Sequence, residues 1–454
     1  MSRSKDPRSH SEAVHSGPGR RALGTDLLAI TLILSLAFLL FLGERRAAGI
    51  SVLWVALAPW ASAICSIALV GLLVRVSSKR LDTPWIGSWL FLIAIGVISQ
   101  QRLRESPPTE LWVRDVWLPI GATAIAAVIY LLFRNGRFRV LCRLGWLYGL
   151  ATAAILGGLL LYGARYRGAF YGPGLITPTE PIKVLVALLW ASYLTRRRGA
   201  FLEGARWFGI PRFKICLPVL FFGAALAAAL AWQRDLGMVV ILGLMAMCGL
   251  SFASGKHWHW ILLSVGIGLF WSQGLEWFPH GAERIDVWMD PFADPTNAGW
   301  QTLQGLSGMY AGGFWGTGLG TGEPERVPTV NTDFVYAALG EELGFLGSAV
   351  TVLAYAVLVG RGLAIARRGS DPFGRMASAL LVSTIGIQAL LNLGGVTKAI
   401  PLTGVALPFV SHGGASMITS CAAVGLILAI SEDVPAPKPK KRPRTPRGPD
   451  AAQS

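Results

Sequence analysis

The chain has 454 residues, 53% of them hydrophobic and 15% charged, with a formal net charge of +16 and a mean hydropathy of +0.52. Apolar runs of roughly 18 to 25 residues recur, the length a helix needs to cross a bilayer core. So many all-round apolar helices exclude a soluble globular domain, and their continuous rather than alternating apolarity excludes an outer-membrane barrel.

The positive charge lies mostly in two tails and in short loops between apolar runs. That is the pattern that orients a membrane protein, and no nucleic-acid partner is expected. Residues 1–24 read as a basic cytoplasmic tail without a signal-peptide cleavage site. Residues 25–135 read as N-terminal membrane helices and 136–431 as the membrane region that carries the long loop. Residues 432–454 read as a disordered basic tail that touches anionic membrane lipid. The five cysteines, Cys65, Cys142, Cys216, Cys248 and Cys421, lie in or beside apolar runs without metal-ligand spacing and read as small packing residues.

The predicted fold is all-α, with about twelve spans near 25–43, 52–75, 84–100, 114–134, 140–163, 179–195, 213–231, 236–253, 258–276, 333–360, 376–397 and 405–430. An even number puts both tails on one side. With that side cytoplasmic, "SSKR", "FRNGRFR", "TRRR" and "ARRGSDPFGR" all lie inside, as the positive-inside rule requires. Residues 276–332 then form one large extracytoplasmic loop. It is rich in Trp, Gly and acid, and is expected to be ordered and functional.

In chain order, "ITPTEPIKVLVALLWASYL" carries Glu180 and Lys183 into a span. Three residues apart, they share a helix face, where they either pair with each other or serve a site. "WQRDLGM" puts Arg234 and Asp235 at the outer end of a hairpin, with helix capping by Asp235 as plausible as function. In "DVWMDPFADPTNAGWQ", two Asp-Pro steps break any helix and place Asp290 and Asp294 on turns. Either aspartate can cap its own turn or face a cavity. A short interfacial helix over 296–310 sets Gln301 and Gln304 on one side, and "GGFWGTGLGTG" follows as a run of tight turns. "NTDFVYAALGEELGFLG" starts with Asp333, a candidate cap, and takes Glu341 and Glu342 about two turns into the next span. "TKAIPLTGVALPFVSHGGAS" joins the last two spans with Lys398, Ser411 and His412. No spacing makes a zinc site.

These motifs, in this order, resemble the SEDS family typified by FtsW, RodA and SpoVE. "TPTEPIK" resembles the family's "QPSE..K", and "QRDLG" its "QPDLG". "DPFADPTNAGWQTLQ" resembles "DP..DP.G.GYQ..Q". "NTDFVYAALGEELG" resembles "HTDFIFA..GEELG", and "LPFVSHGGAS" resembles "LPF.SYGGSS". Departures fall at Thr177, Thr179, Pro181, Arg234, Trp300, Asn331 and His412, and the resemblance implies a core of ten spans, so that about two of the twelve are additional N-terminal ones.

The resemblance implies a peptidoglycan glycosyltransferase that joins lipid II units into glycan strands at the outer membrane face, beside a class B penicillin-binding protein. It implies Asp294 as general base, with Asp290 secondary. It also implies a substrate site drawing on Glu180, Lys183, Arg165, Asp235, Gln301, Gln304, Asp333, Glu341, Lys398 and Ser411. Lys183, Lys398 and Arg165 are the candidates to meet the leaving pyrophosphate, a role that a divalent cation, Mg or Mn, would also serve. No metal ligand is assigned. The rival readings are a lipid II flippase and a non-catalytic scaffold for the transpeptidase.

Overall fold

The computed structural model describes residues 53–77, 81–103, 112–166, 169–171, 179–199, 213–233, 235–255, 260–261, 264 and 279–434. Apolar runs become helices here because a bilayer leaves the backbone no other partner for its polar groups. They are α1 (Leu53–Val76), α2 (Thr83–Arg102), α3 (Trp112–Phe133), α4 (Gly145–Tyr162), α5 (Thr179–Arg196), α6 (Phe213–Trp232) and α7 (Leu236–Ser254). After them come α8 (Pro279–Met289), α9 (Trp300–Gly312), α10 (Val335–Glu342), α11 (Gly344–Arg368), α12 (Pro372–Val396) and α13 (Gly414–Ser431).

Among the described residues, six stretches are long and apolar enough to cross a membrane: α2, Arg137–Leu159, α7, α11, α12 and α13. Helices α1, α3 and α6, of 24, 22 and 20 residues, are also predominantly apolar in sequence. Of the expected spans, 25–43 lies outside the described residues, as does nearly all of 258–276. Among the described residues, one small departure from an all-α fold follows α4. Strands β1 (Ala164–Tyr166) and β2 (Ala169–Tyr171) pair antiparallel, with Arg165 opposite Phe170.

Local chemistry sets the helix starts. Asp82 caps α2, accepting from the Trp85 amide at 3.2 Å, and Pro84 fits the first turn, where no amide proton is needed. Asp371 caps α12 in the same way, through the Gly374 amide at 2.7 Å. Packing then decides the order. α12 is the central helix and packs against α5, α7, α11 and α13, while α3 lies along α13 and α1 along α3. The core is anchored by Trp85, Trp89, Tyr130, Phe138 and Phe334, all fully buried.

The expected span over 333–360 is in fact two helices. Gly344 sits at φ +68, a left-handed conformation that favours glycine, and its Cα lies against the backbone of residues 314–316. The Phe345 and Leu346 amides donate to Gly313 and Phe314 carbonyls, at 2.9 and 3.2 Å. The chain therefore breaks before the membrane helix starts. Glu341 and Glu342 end α10 outside that helix instead of lying two turns inside it.

Candidate active site

The Asp-Pro pair forms two consecutive turns between α8 and α9. Asp290 accepts from the Phe292 amide at 3.0 Å. Asp294 accepts from the Asn297 amide at 3.3 Å, the Asn297 side-chain amide at 3.1 Å and the Ala298 amide at 3.4 Å. These donors, led by Ala298, hold the Asp294 carboxyl below the ordinary aspartate range. Both aspartates therefore do bind their own turns. Asp290 is exposed and Asp294 partly so, which leaves each within reach of a ligand.

Helix α9 begins at Trp300, a little later than the expected 296. From its first turn, Gln301 donates to the Pro328 carbonyl at 2.9 Å and also meets the Thr329 hydroxyl. This ties the Asp294 turn to the segment ahead of α10. Gln304 lies on the same helix and is partly buried.

A second cluster lies where α5 meets α12. Lys183 is 2% exposed; its ammonium pairs with Glu180 and donates to the side-chain oxygen of Gln388. Gln388 is 1% exposed, and its NH₂ group donates to the Ala406 carbonyl at 2.9 Å and the Ser416 hydroxyl at 3.1 Å. With both protons committed, its oxygen must face Lys183. An ammonium has three donors; Glu180 and Gln388 take two. One turn further along α12, Asn392 donates to the carbonyls of Asp333 and Val405, each at 2.8 Å.

Asp235 caps α7 through the Met238 amide at 3.0 Å. Burial pushes its carboxyl up, and the neighbouring Glu180 charge adds to the rise. Burial likewise raises Asp333, opposed by the Thr332 hydroxyl and the positive charge of Arg284. Arg284, on α8, also donates to the Thr403 carbonyl at 2.8 Å, so it draws the loop helix toward Asp235, Asp333 and the 401–408 segment.

Other expected site residues serve the frame. The Glu341 carboxylate accepts the Glu323 amide at 2.7 Å. The buried Ser411 hydroxyl donates to the Thr332 carbonyl and accepts the Leu407 amide at 2.8 Å. Lys398 sits at φ +59, with its carbonyl held by the Trp288 indole at 3.0 Å and its side chain partly buried. Arg165 lies in β1, and Arg234 lies outside the described residues. Among the described residues no three His, Cys, Asp or Glu side chains are grouped to hold a metal ion.

Gln388, Asn392 and Arg284 were not among the expected site residues. The first two had a signal in sequence: amides four apart in an apolar span, hence on one helix face. Arg284 had only its place in a loop helix.

The Cell cycle protein family of FtsW, RodA and SpoVE matches residues 84–435. Peptidoglycan glycosyltransferase RodA of Mycobacterium tuberculosis is 33% identical over 342 residues, covering 72% of this chain and 71% of that one. Probable peptidoglycan glycosyltransferase FtsW of Nitrosococcus halophilus is 32% identical over 386 residues, covering 81% and 96%. Two solved structures share the fold. One chain comes from a study of the structural coordination of polymerization and crosslinking by a peptidoglycan synthase complex. It has a TM-score of 0.61 at 23% identity and covers 78% of this chain and 98% of its own. The other is Thermus thermophilus rod shape determining protein RodA, with a TM-score of 0.55 at 21% identity, covering 78% and 97%.

Proposed function

This chain belongs to the FtsW, RodA and SpoVE family, and from that premise we propose that it polymerises lipid II at the outer face of the cytoplasmic membrane. It is a multi-pass membrane protein and a peptidoglycan glycosyltransferase. In the reaction proposed here, a sugar hydroxyl of the acceptor attacks the anomeric carbon of the donor. The bond from that carbon to the pyrophosphate oxygen breaks, and the hydroxyl proton passes to Asp294.

The observation that carries this reading is the Asp294 turn. It presents an ionised carboxylate, fixed by three local donors, on the loop that also carries α8 and α9. General-base catalysis of this kind contributes roughly 10² to 10⁴ in rate. Its lowered pKa makes Asp294 a weak base that is always ready, so positioning carries more of the catalysis than proton affinity does. The third Lys183 proton, together with Arg165 and Lys398, supplies positive charge for the departing pyrophosphate. Gln301, Gln304, Asp290, Asp333 and Arg284 shape the site around them, with Glu180 paired to Lys183, Asp235 near Glu180, and Glu341 and Ser411 in its frame. The partner in this reading is a class B penicillin-binding protein, in keeping with the synthase complex that supplies a structural neighbour.

The test is glycan synthesis from purified lipid II by the purified protein, alone and with a class B penicillin-binding protein. Polymer made in either mixture, and lost in Asp294→Asn, supports the proposal. No polymer in both overturns it.

A further inference from the structure

Helix α2 ends in "ISQQR", an unusually polar finish for a membrane span. Its last residues reach across more than 200 positions of sequence. The Arg102 guanidinium touches three separate points. Nε donates to Glu342 at 2.7 Å, Nη2 to the Gly322 carbonyl at 2.9 Å, and Nη1 to the Glu325 carboxylate. Glu342 is 5% exposed, and its same oxygen also accepts the Gly320 amide at 3.3 Å. Beside it the Glu341 carboxylate accepts the Glu323 amide, and the Thr317 and Gly318 amides donate to the Glu341 and Glu342 carbonyls at 2.9 and 3.1 Å. The glycine-rich segment from 316 to 325 is thus wrapped over the end of α10, and Arg102 closes the wrap.

Gln100 holds the other half. Its NH₂ group donates to the Asn331 carbonyl at 3.1 Å and the Val410 carbonyl at 3.0 Å. Asn331 also accepts the His412 amide at 2.8 Å. Three and two residues before Asn331 are Pro328 and Thr329, the partners of Gln301. Gln301 in turn lies in the first turn of α9, shortly after the Asp294 turn. A continuous path of polar contacts and short chain segments therefore runs from the outer end of α2 to the turn that carries Asp294.

We propose that Gln100 and Arg102 are positioning residues, which set the Asp294-bearing loop against the membrane helices without touching substrate. This rests on the reading of Asp294 as the base in glycan polymerisation. The chemistry favours arginine. Its planar fork serves three acceptors at fixed angles, while a lysine in its place offers one point charge. A small displacement of a reacting group costs up to about 10²-fold in rate, so loosening this clamp acts on turnover more than on substrate capture.

The test pairs two readouts on the full-length protein in detergent: steady-state polymerisation of lipid II, and hydrogen exchange resolved to peptides. Arg102→Met is expected to lower kcat about 10-fold or more, with KM within about twofold. Exchange should rise in peptides covering 316–331 and stay unchanged in α11 and α12. Arg102→Lys should fall between wild type and Arg102→Met in both readouts. Because Arg102→Met strands Glu342, the double variant Arg102→Met with Glu342→Gln removes both charges and protects against misfolding. It should keep the low kcat. Glu325→Gln, which touches only the exposed arm, should give a smaller effect of the same sign. A wild-type kcat in Arg102→Met overturns the inference, as does exchange that rises equally in α11 and α12. Wild-type protein that makes no glycan refutes the polymerase reading instead, and the exchange comparison still decides whether α2 holds the loop.

Discussion

The Gly299 amide donates to the Asp294 carbonyl at 2.9 Å, and Gly299 has no room for a side chain. A Cβ there would fall against the Pro291 carbonyl oxygen, closer than real contacts allow, and 2.9 Å from the Asp294 carbonyl oxygen. The two Asp-Pro turns and the start of α9 are therefore one packed unit. Gly299→Ala should lower polymerisation about 10-fold or more by tilting Asp294, and the backbone shift it forces should lower the melting temperature in detergent as well. Wild-type activity in this variant would mean that the turn geometry is not needed for turnover.

Asp294→Asn keeps the size of the side chain and can still accept from Asn297 through its one oxygen, though not from Ala298 as well, and it cannot take a proton. Polymerisation should fall by about 10² or more, with lipid II binding retained. Asp290→Asn should cost less, because Asp290 holds only the Phe292 amide. Equal and mild losses at both positions would leave the aspartates as turn residues alone.

The two shifted carboxyls give opposite pH signatures. Asp294 is held below its ordinary value, so its contribution to stability is present above the ordinary aspartate pKa and is lost as pH falls through the lowered one. It stays ionised at neutral pH, and no acid limb above about pH 4 should come from it. Asp333 is raised, so its contribution is full below the ordinary aspartate pKa and is lost as pH rises through the raised value. Asp333→Asn should therefore gain melting temperature relative to wild type as pH rises from about 4 to about 8. A difference that is flat or falls with pH would contradict this sign.

Lys183→Ala should strand Glu180 and leave the Gln388 oxygen unpaired inside the helix bundle. Breaking a buried pair in this way costs about 3 to 5 kcal/mol, so a lower melting temperature should accompany lost polymerisation. Lys183→Ala with Glu180→Gln should recover much of the stability and little of the activity. Recovery of both would make the lysine a structural residue.

Orientation is read by labelling. Thr321→Cys, on the exposed glycine-rich segment, should react with an impermeant thiol reagent added outside intact cells. Gly369→Cys, between α11 and α12, should not. The opposite pattern would invert the topology and remove Asp294 from the outer face.

The sequence by itself determined the properties that depend on neighbours along the chain. Apolar run length marked the described membrane helices, because a helix must span the bilayer with its own residues. The Asp-Pro steps marked the turns at Asp290 and Asp294, and the hairpin motif made Asp235 a candidate cap beside a functional reading, because these bonds close within four residues. The spacing of Glu180 and Lys183 put them on one helix face for the same reason, and left open whether they pair with each other, as they do, or serve a site. Only the tertiary structure decided the rest. Glu341 and Glu342 left the expected span because the backbone of residues 314–316 packs against Gly344 and breaks the helix there. Ser411, Gln388, Arg284 and Arg102 take partners 79 to 240 residues away. Which acceptor such a side chain meets depends on how the helices pack in space, and no local pattern in the chain carries that information.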